Sequence, residues 1–217
     1  MKAVLIGASG FVGASILNEL LSRGHEVTAI VRHVDKIAAA SNDKLTVKAI
    51  DVLNTDELTA AIKGSDAVIS AFNAGWTNPN LYHDFIAGSE SIQKAVKASG
   101  VKRLIVIGGA GSLEIDGHQL VDGPDFPAEY KDGATAARDY LNTIKQENDL
   151  QWSFFSPAIE MHPGIDTGRT AQFRLGLDSP IFDEAGRSSL SVQDLAVAIV
   201  DELEQNKHSQ QRFTAGY

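Results

Sequence analysis

Three glycines near the start of the sequence have a spacing that would bring a ligand close to the backbone. Gly7, Gly10 and Gly13 follow three apolar residues in the stretch VLIGASGFVG. At a turn from a strand to a helix, the first such glycine permits the tight bend, the second lets a pyrophosphate approach the backbone, and the third lets the helix pack against the sheet. The amide groups at the start of the helix then face the anion. The spacing therefore predicts a dinucleotide-binding turn, with a purely structural turn as the alternative.

The second apolar run ends at an arginine, roughly twenty residues after Gly13, where NAD-binding proteins usually carry an acid for the ribose hydroxyls. A guanidinium at Arg32 suits the 2′-phosphate of NADP instead, with Ser9, His33 or Lys36 as helpers. We therefore expect NADPH as the preferred cofactor and NADH as the alternative. A solvated arginine at a strand end is the structural alternative.

Further residues are predicted to contact the cofactor. Asp51 follows the run LTVKAI and could accept a hydrogen bond from the adenine amino group while the Val52 amide completes the recognition, or it could cap the next turn. The stretch SAFNAG is expected to run beside the ribose. The predicted cofactor contacts in that stretch and in the glycine turn are Ala71, Phe72, Asn73, Phe11 and Val12.

These residues need elements that hold them, and the sequence alternates short apolar runs with longer amphipathic ones. Most of the short runs are apolar throughout, which is typical of strands covered on both faces. The predicted strands lie at 3–6, 26–31, 45–50, 67–71, 103–107, 151–155 and 212–216, and the predicted helices at 11–23, 55–63, 81–99, 126–148 and about 192–204. The β-α order predicts an α/β fold, a Rossmann-type doubly wound parallel sheet with helices on both faces.

Length and composition favour one ordinary globular domain. At 217 residues the chain has room for one substantial core, so we expect a single domain with a cofactor half at about 1–110 and substrate-side loops and a carboxy-terminal extension at about 111–217. A net charge of −9 argues against a nucleic-acid partner. The chain has no cysteine, and its six histidines show no pair at metal-ligand spacing, so we predict no metal site.

The location and partners are also expectations. Before Gly7 the chain offers only the short run of Val4, Leu5 and Ile6, and no later run approaches the roughly 20 apolar residues of a membrane span. We therefore expect a cytoplasmic protein without a membrane partner. Its expected partner is a small-molecule acceptor, and its expected state is a monomer or homodimer.

Longer motifs carry a family resemblance. VIGGAGSLE at 106–114, FPAEY at 126–130 and WSFFSPA at 152–158 accompany the glycine turn. With these motifs the chain resembles the atypical branch of the short-chain dehydrogenase/reductase superfamily over nearly its whole length. It is most similar there to the small NADH-flavin reductases, which are also like biliverdin-IXβ reductase. The resemblance implies a Rossmann domain and reduced-nicotinamide chemistry.

One departure from the superfamily bears on the acceptor. No tyrosine has a lysine four residues on: Tyr130 is followed directly by Lys131, and Tyr140 reaches Lys145 one position late. Hydride addition to a ketone builds an alkoxide that needs a positioned acid, whereas a flavin or quinone becomes a delocalised anion that solvent can protonate. We therefore expect an NAD(P)H-dependent reductase, acting on a flat conjugated acceptor such as flavin or quinone. The alternative is a non-catalytic NAD(P)-sensing regulator similar to the nitrogen metabolite repression regulators; a sugar-nucleotide epimerase fits least.

The resemblance also suggests residues on the acceptor side. Ser112 stands where the superfamily carries its catalytic serine, and it could donate a hydrogen bond to the acceptor or nicotinamide, or cap its loop. Tyr130 could stack on a ring or contribute an acidic hydroxyl, or simply pack at a helix start. Pro157 and Ala158 are expected to contact the nicotinamide. The loop before Ser112 completes the predicted pocket with Gly109, Ala110 and Gly111, and Gly108 and Gly109 are predicted to contact the cofactor.

Five more side chains lie in regions that could cover the site. Trp76 could form an aromatic lid over the acceptor. His118 and His162 are expected to be ordinary loop histidines, with proton donation as the alternative. Arg169 and Arg174 could bind an acidic substrate or a flavin phosphate, or they could decorate a strand edge.

Overall fold

The apolar runs of the sequence form the strands of one central sheet. The computed structural model describes residues 1–37 and 42–217. The strands are β1 (Lys2–Ile6), β2 (Glu26–Val31), β3 (Leu45–Ala49), β4 (Ala67–Ser70), β5 (Arg103–Ile107), β6 (Glu114–Ile115), β7 (His118–Gln119), β8 (Gln151–Phe155), β9 (Arg174–Gly176) and β10 (Gln211–Gly216). The helices are α1 (Phe11–Ser22), α2 (Thr55–Ile62), α3 (Leu81–Ser99), α4 (Ala128–Ile144) and α5 (Val192–Gln205).

Eight of these strands form a sheet in the order β3-β2-β1-β4-β5-β8-β10-β9. All neighbours run parallel except β10 and β9, which pair antiparallel. The order reverses beside β1, and the crevice at the carboxyl ends of β1 and β4 is where ligands bind in such sheets. The predicted Rossmann-type α/β fold is confirmed.

Helices cover both faces of the sheet, as the continuous apolar strands predict. Alternate residues of β1 show the division: Leu5 belongs to the core under α1 and α5, whereas Val4 belongs to the core under α2, α3 and α4. Ile16 and Ile199 pack in the first core, and Ile92 packs in the second. Because both faces are buried, the sheet presents only its strand ends and edges to solvent.

The structure adds elements that the sequence did not predict. The edge strand β9 and the β6–β7 hairpin are two or three residues long, too short to show a periodic pattern. The fourth helix begins two residues later and ends four residues earlier than the predicted 126–148, because Pro127 stands at its amino-terminal cap and Lys145 at its carboxyl-terminal cap. Among the helices of the described residues, none is long and apolar enough to cross a membrane.

A buried ion pair lies at the end of the sheet opposite the crevice. Arg103, the first residue of β5, places its guanidinium 2.6 Å from a carboxylate oxygen of Glu202 on α5. The same carboxylate accepts hydrogen bonds from Ser153 at 3.0 Å and from the His208 amide at 3.0 Å. Because its partners belong to the fold itself, this cluster holds α5 against β5 and β8.

Candidate functional site

The glycine turn between β1 and α1 is built by close backbone contacts. Gly7 has a φ of 79°, and a Cβ there would stand 2.4 Å from the carbonyl oxygen of Ala71. A Cβ on Gly13 would stand 2.1 Å from the carbonyl oxygen of Gly7. These two glycines therefore let α1 and the β4 end approach the turn, in the roles that the sequence predicted.

Gly10 differs from its two neighbours in the motif. It is exposed, and a Cβ there would meet only the Gly7 carbonyl oxygen, at 3.4 Å. It caps α1, whose first turn carries no acidic residue. The first amides of a helix, here those of Phe11, Val12 and Gly13, have no partner within the helix and point outward. This open, donor-lined turn fits a dinucleotide pyrophosphate.

The residues predicted to read the adenosine end are all exposed around this turn. Arg32 directly follows β2 and makes no hydrogen bond or ion pair with residues 1–37 or 42–217. Ser9, His33 and Lys36 are exposed as well. The guanidinium is therefore available for a 2′-phosphate, and its role in NADPH binding stays a prediction.

Of the two roles predicted for Asp51, adenine recognition and capping of the next turn, its contacts correspond to capping. Its Oδ1 accepts a hydrogen bond from the Leu53 amide at 3.0 Å. Val52 is half-buried, and its carbonyl oxygen accepts a hydrogen bond from Ser91 on α3 at 2.6 Å. The turn is thus fixed from both sides, and adenine recognition by Asp51 would use the second carboxylate oxygen.

A cavity of about 950 Å³ opens at the carboxyl ends of β1, β4, β5 and β8. Its wall combines predicted cofactor contacts with predicted acceptor contacts. The predicted residues that line it are Phe11, Val12, Ala71, Phe72, Asn73, Trp76, Gly108, Gly109, Ala110, Gly111, His118, Tyr130, Pro157, Ala158 and His162. Residues from positions 11 to 162 thereby form one site, as expected of strand ends that meet along one edge of a parallel sheet.

Ser112 does not line this cavity. Its side chain is completely buried, and its hydroxyl donates to the Gly109 carbonyl oxygen at 2.9 Å and lies 2.8 Å from the Ser156 hydroxyl. These contacts correspond to the loop-capping alternative. Ser112 therefore shapes the loop that carries the lining residues Gly109 and Gly111 and has no hydroxyl facing the acceptor space.

Two aromatic side chains form the outer wall of the cavity. Trp76 is 60% exposed and Tyr130 is 49% exposed, and their rings meet edge to face with centroids 5.7 Å apart. Trp76 lies over Gly133 of α4, where a Cβ would stand only 2.9 Å from the indole ring. The absence of a side chain at Gly133 therefore creates the seat for the indole, a role that nothing in the local sequence indicated.

The predicted histidines and arginines separate into two groups. His118 and His162 are exposed and line the cavity. Arg169 lies outside it and donates two hydrogen bonds of 2.8 Å to the carboxylate of Glu19, which holds the pKa of that carboxyl below its ordinary value. Arg174, on the edge strand β9, donates to backbone carbonyl groups, as the strand-edge alternative implies.

Two buried charged residues that the sequence analysis missed hold the loops around the cavity. Arg212 of β10 donates to the Ser112 carbonyl oxygen and pairs with Glu114 at 2.9 Å. Asp194 of α5 accepts hydrogen bonds from the Thr170 amide at 2.8 Å and from the Tyr217 hydroxyl at 2.8 Å. Their partners are distant in sequence, so no local pattern could have identified them. In the described part of the chain, no group of three potential ligands could hold a metal ion.

Comparison with known proteins agrees with this geometry. A sequence family described as NAD(P)H-binding matches residues 7–206. The uncharacterised protein YwnB of Bacillus subtilis is 38% identical over 218 residues, which cover 99% of this chain and 97% of YwnB. Conserved fold and length therefore extend beyond the glycine turn to the whole chain.

Solved structures give the same picture. A candidate epimerase from Bacteroides thetaiotaomicron is 49% identical, with a TM-score of 0.91 over 100% of this chain and 96% of that one. A candidate NADH-flavin reductase from Streptococcus pneumoniae is 36% identical, with a TM-score of 0.87 over 100% and 99% of the two chains. A candidate exported protein from Burkholderia pseudomallei is 38% identical, with a TM-score of 0.87 over the full length of both. The resemblance to atypical short-chain dehydrogenase/reductases is confirmed, and the cytoplasmic location stays a prediction.

Proposed function

Because the chain belongs to the NAD(P)H-binding family, we propose that it is a reductase that transfers hydride from NADPH, or less efficiently NADH, to a flat conjugated acceptor such as a flavin or quinone. The observation that carries this proposal is the cavity itself. A mostly apolar space of about 950 Å³ adjoins the glycine turn and carries an aromatic wall of Trp76 and Tyr130. A ring system placed there would be enclosed by surfaces that favour planar aromatic ligands.

The cofactor end would be held mainly by backbone groups. The amides at the start of α1 would bind the pyrophosphate beside Gly10, and Arg32 would pair with the 2′-phosphate of NADPH. Pro157 and Ala158, buried at the end of β8, would support the nicotinamide from within the cavity. When bound, the reduced nicotinamide supplies a hydride, which carries two electrons and one hydrogen to the acceptor.

No tyrosine in the described chain is activated by lysine as in ketone reductases. The Lys131 ammonium group donates a hydrogen bond to the Val121 carbonyl oxygen. Tyr140 is 1% exposed, burial raises its pKa above the ordinary value, and its hydroxyl donates to Gln93 at 3.2 Å. The proton that completes the reduction after hydride transfer would therefore come from solvent, which suffices for a delocalised flavin or quinone anion. The chain's own contribution would be to bind and orient the two rings and to exclude water between them.

The names of two relatives bear on this proposal. The relative from Streptococcus pneumoniae, 36% identical, carries a flavin-reductase name. The relative from Bacteroides thetaiotaomicron carries an epimerase name, but this chain has no tyrosine with a lysine four residues on to serve as the acid–base pair of such a reaction. Ser112 is buried away from the cavity, which leaves a site better suited to positioning than to acid–base chemistry.

The test is oxidation of NADPH or NADH, followed by absorbance at the reduced-nicotinamide band, with FMN, FAD, riboflavin, a quinone and a simple ketone as acceptors. We expect turnover with a flavin or quinone and little with the ketone. Rapid turnover of the ketone would contradict the proposed acceptor class. Tight binding of both cofactor forms with no turnover on any acceptor would replace the reductase by the NAD(P)-sensing regulator.

A further inference from the structure

We propose that the acceptor is uncharged, and that the cavity discriminates against rings that carry a phosphate, sulfonate or carboxylate. This inference rests on the proposed reductase function and specifies the substrate class of the same site. It follows from the charges around the acceptor end of the cavity, where the aromatic wall of Trp76 and Tyr130 stands.

Among the described residues that line the cavity, one is a carboxylate and the others are apolar or uncharged polar residues or histidines. Asp125 is that carboxylate; it is exposed and lies in the segment between the β6–β7 hairpin and α4. Its neighbours in the wall are Pro124 and Phe126. The other polar lining groups of the described residues are side-chain and backbone amides, the Tyr130 hydroxyl and the imidazoles of His118 and His162. The fixed charge that a bound acceptor meets is therefore negative.

Two cations on α4, the helix that carries Tyr130 and Gly133, already have partners. Lys131, on the first turn of α4, donates to the Val121 carbonyl oxygen, and its ammonium lies 5.7 Å from the centre of the Phe126 ring. Arg138, two turns further along the helix, pairs with Asp122 at 2.9 Å and with Asp139 at 2.5 Å. Recruiting either cation to an acceptor anion would break these contacts.

The same holds on the opposite side of the cavity, near the lining residue Ile159. Arg187 pairs with the carboxylate of Glu160. Arg169 is bound to Glu19 by two hydrogen bonds of 2.8 Å. An anion that enters the cavity would lose water without gaining a charged donor, and it would approach Asp125. A neutral ring would incur neither penalty, so the wall favours neutral acceptors.

Riboflavin and FMN make a matched pair because they share one redox-active ring and differ by a phosphate. With saturating NADPH at pH 8, we expect kcat/KM for riboflavin to exceed that for FMN by about tenfold. Equal values would overturn the inference while leaving the reductase function intact. Absence of turnover with flavins and with naphthoquinone would overturn the reductase function and this inference with it.

A charge reversal at Asp125 sharpens the experiment. In Asp125→Lys the FMN-to-riboflavin ratio of kcat/KM should rise by about tenfold, and in Asp125→Asn it should rise by less. Glu184→Lys makes the same charge change in an exposed turn outside the cavity lining, so its ratio should stay at the wild-type value. An unchanged ratio in Asp125→Lys, or an equal rise in Glu184→Lys, would overturn the role of Asp125.

Naphthoquinone and its ring sulfonate provide a second pair, in which the anion sits on the ring and cannot extend into solvent. The sulfonate also changes how easily the ring is reduced, so the measured quantity is the change in their ratio between the wild type and Asp125→Lys. We expect the relative use of the sulfonate to rise by about tenfold in the variant. No rise with this pair would overturn the inference for ring-borne anions.

Discussion

The two ends of the cavity are built in different ways. The cofactor end consists of backbone packed on backbone. At Gly7 and Gly13 the neighbouring carbonyl oxygens lie so close that a Cβ atom would not fit. The acceptor end consists of side chains from distant segments, such as Trp76 and Tyr130, which meet only at their ring edges. A backbone-built end tolerates few changes and binds a constant ligand. An end that is built from side chains can acquire a different ligand when those side chains are substituted. We therefore expect the residues of the acceptor end to determine which acceptor is used.

The two ends are joined by charged contacts. Glu19 of α1, in the cofactor half, holds Arg169 of the segment that follows the lining residue His162. Asp194 of α5 binds the same segment through the amides of Thr170 and Ala171. These contacts fix the segment of Arg169 and Thr170 relative to α1 and α5. Four experiments, ordered from the largest expected effect to the smallest, test this difference between the two ends.

The largest effects should come from valine at the second or third glycine of the turn. Gly10→Val should abolish NADPH binding in calorimetry while the circular dichroism spectrum stays native, because a side chain there meets open space that the pyrophosphate would occupy. Gly13→Val should destabilise the fold itself by about 1–3 kcal/mol or more, since its Cβ would overlap the Gly7 carbonyl group. Retained NADPH binding by Gly10→Val would show that the cofactor site is elsewhere.

The next effect concerns the adenosine end. Arg32→Ala should weaken NADPH binding by ~1.5–3 kcal/mol, roughly ten- to a hundredfold, because a charge-assisted contact to the 2′-phosphate is lost. Binding of NADH should be nearly unchanged. Lys36→Ala is the matched control, since Lys36 is an exposed cation on the same segment. Equal losses for NADPH and NADH would remove Arg32 from the phosphate site.

A smaller effect should appear at the acceptor wall. Gly133→Val would displace the indole of Trp76, which a Cβ on Gly133 would approach to 2.9 Å. We expect KM for the acceptor to rise about fivefold, equivalent to ~1 kcal/mol, with the Kd for NADPH unchanged. Trp76→Phe should retain most of the stacking surface and cause a smaller rise. If both variants change NADPH binding instead, the wall belongs to the cofactor end.

The smallest effect should be a pH-dependent change in stability at Glu19. The hydrogen bonds from Arg169 lower the pKa of Glu19 in the folded state below its ordinary value of 4.5, so this group stabilises the fold above that pH and loses its effect as the pH falls through the lower value. Glu19→Gln should therefore reduce the free energy of unfolding by about 1 kcal/mol at pH 7. Urea titrations of both proteins should converge as the solution is acidified below pH 4.5. A constant difference at all pH values would show that the carboxylate charge does not contribute.

The same division explains what the sequence could predict. Helices and strands of the cofactor half were placed within a few residues, because an apolar run, a glycine motif and a helix stop are local signals. The roles of Gly7 and Gly13 were predicted for the same reason. Trp76 was identified as an aromatic near the site, but its seat on Gly133 depends on a contact between residues 57 positions apart. Ser112 illustrates the limit of resemblance, since its position in a motif could not reveal that its hydroxyl is bonded to Ser156.

The order of the strands has a consequence for synthesis on the ribosome. The last strand in sequence, β10, lies between β8 and β9 in the sheet. Until residues 211–216 emerge from the exit tunnel, β9 has no neighbour to pair with, and Leu175, which is still 48% exposed in the finished fold, stays on an unpaired strand. A nascent chain that has not yet exposed β10 would therefore lack two strands of the sheet at once. Such a chain would present an open sheet edge at β8, a surface that chaperones and aggregating partners recognise.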